Sequence, residues 1–307
     1  MDGSEGLAIP ALLLLTRWIH FASVFALFGS ALFWTFTPGA FPGARRATDR
    51  LLRVAAPVAV LSGLGWIAAI IANMADGLEK IADLQTLSLF FHQTQFGPVV
   101  EIRLALFALA LGLAAWPMAA EARRRAMIPV GAALLIDQAW LGHAAEGSGA
   151  WGTLMLGVYC AHVLAAAAWL GGLPPLLFAL RETRGQGEDE TRRRTVDLLL
   201  RFSAIALPAV GLIVASGLGN VSFRVGASVG CMFMTDYGSV FCAKAALVSA
   251  MLALAYYNRF VALPRLRLGL ASTRQSIALQ TSVAFELALG LAVLAAAALL
   301  GVTAPPQ

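Results

Sequence analysis

The sequence predicts an all-α polytopic membrane protein, an eight-helix transmembrane bundle with both chain ends on the outer side. Three observations carry that prediction. Of 307 residues, 59% are hydrophobic and only 13% charged, with a mean hydropathy of +0.78, too little polar surface to cover a soluble domain. Eight apolar stretches are each long enough for a hydrocarbon layer of about 30 Å, which takes roughly 20 helical residues. The basic residues gather on alternate connections between them, the charge pattern of a polytopic membrane protein.

The stretches run 9–36, 52–74, 98–119, 127–143, 151–180, 198–220, 239–260 and 277–302. The first exceeds a signal-peptide core, holds Arg17 and His20 and is followed by no small-residue cleavage pattern, so it counts as helix 1. Of the 22 Lys and Arg residues, all but Arg17, Lys80, Arg103, Arg224 and Lys244 fall at the connections after helices 1, 3, 5 and 7. By the positive-inside rule those connections face the cytoplasm and both termini lie outside. The net charge of +5 then reflects topology, and the expected partner is the lipid bilayer, with no nucleic acid.

An internal repeat is expected. His20 precedes Gly29 by the same spacing that separates His162 from Gly171, at an offset of 142. Phe96-Gly97-x-Val99 with Arg103 matches Tyr237-Gly238-x-Val240 with Lys244 at an offset of 141. Ser62-Gly63-Leu64-Gly65 returns as Ser216-Gly217-Leu218-Gly219 at an offset of 154, which a longer loop between helices 5 and 6 absorbs. Helices 4 and 8 match poorly. The division is residues 1–143 and 144–307, two four-helix repeats sharing one orientation about an axis along the membrane normal.

Ionisable groups inside a bilayer are expensive and therefore functional candidates. His20 and His162 both lie about 16 Å below the outer surface, and small neighbours such as Ala22, Ser23, Ala161 and Ala165 let their helices approach closely. As metal ligands they compete with a plainer role, each bonding a nearby carbonyl. His143, at the outer end of helix 4, is either the first ligand met by an incoming ion or a solvated helix-end histidine. Asp137, about 9 Å deeper, would accept from a histidine N–H. Cys231, Met232 and Met234, before helix 7, place soft sulfur beside imidazole, a donor set that selects Cu(I); as methionines near a membrane surface they also serve as apolar contacts. Glu101, Arg103 and Lys244 are read as interfacial anchors, and Glu286 either joins an ion path or pairs with an inner-rim arginine. A disulfide between Cys231 and Cys242 is chemically permitted on the outer side. No nucleotide-binding or hydrolase motif is present, so an enzyme is not expected.

The second half resembles the copper-resistance protein D (CopD) family of bacterial inner-membrane proteins. The residues are His162 with Trp169-Leu170-Gly171-Gly172-Leu173, Arg201-Phe202-Ser203, Ser216-Gly217, Tyr237-Gly238 with Lys244, and Asn258-Arg259 with Pro264. The first half fits the eight-helix form of that family. The resemblance implies copper handling in the inner membrane, moving copper from periplasm to cytoplasm beside a periplasmic copper-binding partner. It carries over no ligand set. Two other readings stay open: a b-type haem protein with His20 and His162 as axial ligands, and a factor delivering copper for oxidase assembly.

Overall fold

The computed structural model describes residues 5–37, 41–141, 147–183, 188–225, 234–268 and 273–303, and every regular element among them is helical. In chain order these are α1 (Glu5–Phe36), α2 (Pro42–Ala75), a 3-10 turn (Leu78–Ala82), α3 (Leu84–Gln93), α4 (Gly97–Ala115) and α5 (Ala120–Asp137), which ends in a 3-10 turn (Gln138–Leu141). Then come α6 (Gly149–Leu170), α7 (Leu173–Glu182), α8 (Glu188–Val225), α9 (Asp236–Tyr257), a π-helical turn (Asn258–Ala262), α10 (Leu263–Arg267) and α11 (Thr273–Leu300).

Among the described residues seven helical segments are long and apolar enough to cross a membrane: Ala8–Phe36, Pro42–Ala75, Gly97–Ala115, Gly149–Glu182, Asp189–Phe223, Asp236–Arg267 and Ile277–Leu300. The expected fourth span, α5, falls short by this measure because its 18 residues include Glu121, Arg123, Arg124, Arg125 and Asp137. The expected stretch 151–180 is also divided. Gly171 and Gly172 separate α6 from α7, and Pro174 and Pro175 bring no backbone N–H to continue the ladder.

Helix α1 is the axis of the bundle, packing on α2, α5, α6 and α11. It meets α6 at a glycine pair. A Cβ on Gly29 would lie 2.0 Å from the Ala167 carbonyl oxygen, and one on Gly171 2.0 Å from that of Phe25, so only glycine permits this approach. Ser30 Oγ donates across the crossing to the Gly171 carbonyl at 2.7 Å.

The starts of α2 and α5 meet at one arginine-rich end. Arg45 pairs with Glu121 at 3.3 Å and Arg123 with Asp49 at 2.6 Å. Arg123 is also fully buried, donating to the carbonyls of Leu113 at 2.8 Å and Trp116 at 2.9 Å, which closes the C-terminus of α4. At the same end Glu182 of α7 accepts from the N–H groups of Gly43 at 3.1 Å and Ala44 at 2.6 Å, capping α2, where an acidic side chain suits the exposed N–H groups and the dipole. Glu182→Ala is expected to cost about 1–2 kcal/mol, read as an earlier thermal transition of the detergent-solubilised protein, with Glu182→Gln in between. Away from this end, Asp83 caps α3 by accepting from Thr86 N at 3.0 Å and Thr86 Oγ1 at 2.6 Å, which holds its carboxyl below the usual carboxylate range.

Candidate functional site

His20 is completely buried among α1, α2 and α4. Its Nδ1 lies 2.8 Å from the Ala59 carbonyl; a carbonyl only accepts, so Nδ1 carries the proton and Nε2 the lone pair. Arg103 Nη1 donates to that lone pair at 2.9 Å. The same guanidinium bonds Asp137 Oδ2 through Nε at 2.7 Å and the Leu134 carbonyl through Nη2 at 3.4 Å, and its Cζ sits 5.2 Å from the Trp66 ring centroid. Trp66 and Phe107 pack on the imidazole at 5.7 and 5.6 Å. The Ser62-Gly63 pair on α2 makes this possible: Gly63 leaves room for His20 Cε1 and Phe107, and Ser62 Oγ returns its proton to the Val58 carbonyl at 2.6 Å.

This arrangement corrects the expectation for Arg103, which does not snorkel to the surface but is fully buried. Asp137 reaches the histidine only through it. As arranged, both His20 nitrogens are engaged, and a metal ion or a haem iron takes Nε2 only by displacing the guanidinium. The sequence did carry a signal for this role. Arg103 stands six residues inside α4, about 9 Å from its start, the depth at which Asp137 was singled out.

His162, on α6, faces α8 and has different partners. Its Nδ1 lies 3.1 Å from Ser216 Oγ; the hydroxyl proton is directed to the Leu212 carbonyl, so Ser216 accepts from Nδ1 and the lone pair is again on Nε2. Gly217 leaves its Cβ position beside the ring, 3.5 Å from Cε1. Lys244 lies close enough to act on the imidazole electrostatically. The imidazole also bonds the Ile213 backbone, and among the described residues no side chain hydrogen-bonds Nε2.

The remaining candidates divide. Met234, just ahead of α9, is 91% exposed. His143, Cys231 and Met232 lie outside the described residues. Cys160 and Cys242 are free thiols. Neither a hydrogen bond nor a ring contact joins His20 to His162, and among the described residues no three His, Cys, Asp or Glu side chains converge on a point that could hold a metal ion. Among the described residues Glu286 pairs with no arginine and accepts from Asn258 Nδ2 at 2.5 Å.

Comparison with known proteins accounts for most of the chain. Residues 7–153 match the family described as copper resistance protein D-like, N-terminal domain, and residues 196–300 match copper resistance protein D. The chain belongs to the copper-resistance protein D family. Inner membrane protein YebZ of Escherichia coli K12 is 29% identical over 256 residues, 82% of this chain and 84% of that protein. Copper resistance protein D of Pseudomonas syringae pv. tomato is 26% identical over 301 residues, 94% and 95% of the two chains. Copper transport protein CutJ of Bacillus subtilis is 31% identical over 175 residues, 57% of this chain and 30% of that one. No solved structure matches. Within the family frame His20, Arg103 and Asp137 fall in the first matched stretch and Ser216 and Lys244 in the second, while His162 lies between them.

Proposed function

We propose that the protein, a multi-pass protein of the bacterial inner membrane, moves copper from the periplasmic face to the cytoplasm, with His162 Nε2 as the imidazole that holds the ion partway across. One observation carries this reading: Arg103 occupies His20 Nε2, whereas among the described residues no side chain hydrogen-bonds His162 Nε2, and Ser216 holds its Nδ1. Fixing the second ring nitrogen in this way is how proteins aim a histidine at a metal. Sulfur from Cys231, Met232 and Met234, with His143, would receive copper above it, where a periplasmic copper-binding protein delivers. The names of two relatives, a copper resistance protein and a copper transport protein, agree with that cargo.

The proposal includes the topology. Helix α5 is the eighth crossing, its arginines at the cytoplasmic rim and its Asp137 neutralised by Arg103; both termini are periplasmic, and residues 1–143 and 144–307 form two parallel four-helix repeats. Support comes from contacts that recur at the repeat offsets: Gly63 beside His20 and Gly217 beside His162, Gly65 against Thr16 and Gly219 against Val158, and the mutual pair Gly29 and Gly171.

The test is copper accumulation in cells lacking the native protein, together with Cu(I) competition against a chelator in detergent. His162→Ala is expected to lower uptake to the level of cells without the protein. Ser216→Ala should weaken binding about 10-fold or more through loss of orientation. Wild-type uptake by His162→Ala protein of normal abundance overturns the reading, as does a haem absorbance band lost in the same variant.

A further inference from the structure

Away from His162, helices α6 to α11 enclose a cavity of about 270 Å³. Its walls are apolar and rich in rings, with Trp169, Phe202, Tyr256 and Phe260 all contributing. Its polar side is made by Asn258 and Glu286, only 9% and 3% exposed, and by Arg259. Asn258 Nδ2 is committed to Glu286 Oε1. Its Oδ1 is buried with no hydrogen-bond partner among the described residues. Asn258 opens the π-helical turn that runs to Ala262, a widened turn that recurs at functional sites. Leu207, Tyr256 and Phe260 line the cavity and are also 48%, 63% and 53% exposed on the outside of the bundle, so the space opens sideways, toward lipid.

We propose that this cavity binds a membrane-soluble quinol, its aromatic head entering from the bilayer and its hydroxyls donating to Glu286 and to Asn258 Oδ1. The chemistry selects this occupant over others. A lipid acyl chain would fill the apolar walls but leave the buried Asn258 Oδ1 unanswered, an arrangement folded proteins avoid. An organic cation would suit the rings and Glu286, yet Arg259 stands on the same wall and repels it. A quinol satisfies both: its hydroxyls give protons to acceptors and its oxygens accept from a guanidinium, while rings pack on its face. The volume lies just below that of drug-sized ligand sites, suiting one ring with its tail left in the bilayer. The site shares no residue with the copper path through His162 and Ser216, so each reading can fail without the other.

The experiment is calorimetric titration of the purified full-length protein in detergent with decylubiquinol and, in parallel, with its dimethyl ether, which cannot donate. The wild type is expected to bind decylubiquinol saturably at one site, with the ether at least 10-fold weaker. Glu286→Gln, which keeps shape and removes the carboxylate, should weaken binding at least 10-fold, and Ala206→Trp should abolish it by filling the cavity. Should Ala206→Trp fail to fold, the ether and Glu286→Gln decide. Equal binding of quinol and ether, unsaturable uptake into the micelle, equal affinity in Glu286→Gln, or displacement by phosphatidylglycerol at the same concentration overturns the proposal.

Discussion

Asp137→Ala is expected to destabilise the protein by about 3–5 kcal/mol, lowering the thermal transition of the solubilised protein by on the order of 10 °C. The reason lies in what the substitution leaves behind. Arg103 is fully buried and Asp137 is 8% exposed, and the guanidinium spends its donors on Asp137, His20 and the Leu134 carbonyl. Removing the carboxylate strands a cation in the bundle interior with only neutral acceptors and the Trp66 ring around it, and it is the unpaired charge that is costly. Arg103→Leu should be nearly as damaging, because it strands Asp137 and leaves the His20 lone pair unanswered. The double variant Arg103→Leu/Asp137→Leu removes both charges and is expected to recover most of the loss. A double variant as unstable as Asp137→Ala would mean that the pair is not the source of the effect.

This buried pair also marks where reading the sequence stops. Hydropathy located seven apolar helical segments among the described residues but not where the helices begin: α2 begins at Pro42 and α8 at Glu188, about three turns ahead of the apolar stretches at 52 and 198. Charged residues at the arginine-rich end remain helical because i,i+4 pairs such as Arg53–Asp49 and Arg201–Asp197 support them. The connection between α2 and α4 reads as a loop, yet Asp83 caps α3 there. His20, His162 and Asp137 were visible as ionisable groups too deep to be solvated. The link between two of them was not, since an arginine near a helix end looks like a snorkelling anchor, and only its contacts with Asp137 and His20 show that it points inward. The repeated Ser-Gly pairs were legible as a pattern; that Gly63 and Gly217 make room for a histidine ring depends on a helix-to-helix register that composition does not encode. The lack of a side-chain partner at His162 Nε2 among the described residues and the unpartnered Oδ1 of Asn258 were equally hidden, because each depends on which neighbours a side chain meets.

Gly29→Ala should be the most damaging substitution that adds a single methyl group, with a loss at or above the roughly 1–3 kcal/mol typical of overpacking. Its Cβ would fall 2.0 Å from the Ala167 carbonyl and 2.6 Å from Gly171 Cα, and the reciprocal Cβ on Gly171 2.0 Å from the Phe25 carbonyl. These are backbone atoms, so no rotamer change relieves the clash. Helices α1 and α6 must separate, and the Ser30 bond to the Gly171 carbonyl stretches with them. Since either substitution alone forces that separation, the second adds little. The double variant Gly29→Ala/Gly171→Ala is therefore expected to lose much less than the sum of the two single losses, a coupling that neighbouring sites show and distant ones do not. Gly211 in α8 supplies the control: nothing lies within 4 Å of its Cβ position, so Gly211→Ala should leave stability unchanged or raise it by about 0.5–1 kcal/mol. Thermal unfolding of the four proteins beside wild type reads all of these effects. Additive losses at Gly29 and Gly171, or a Gly29→Ala protein as stable as Gly211→Ala, would place the contact between the two halves elsewhere. If the coupling holds, the α1–α6 crossing is a rigid joint, and under the copper path proposed above any motion that carries the ion past His162 must turn about it or take place in the helices packed around it.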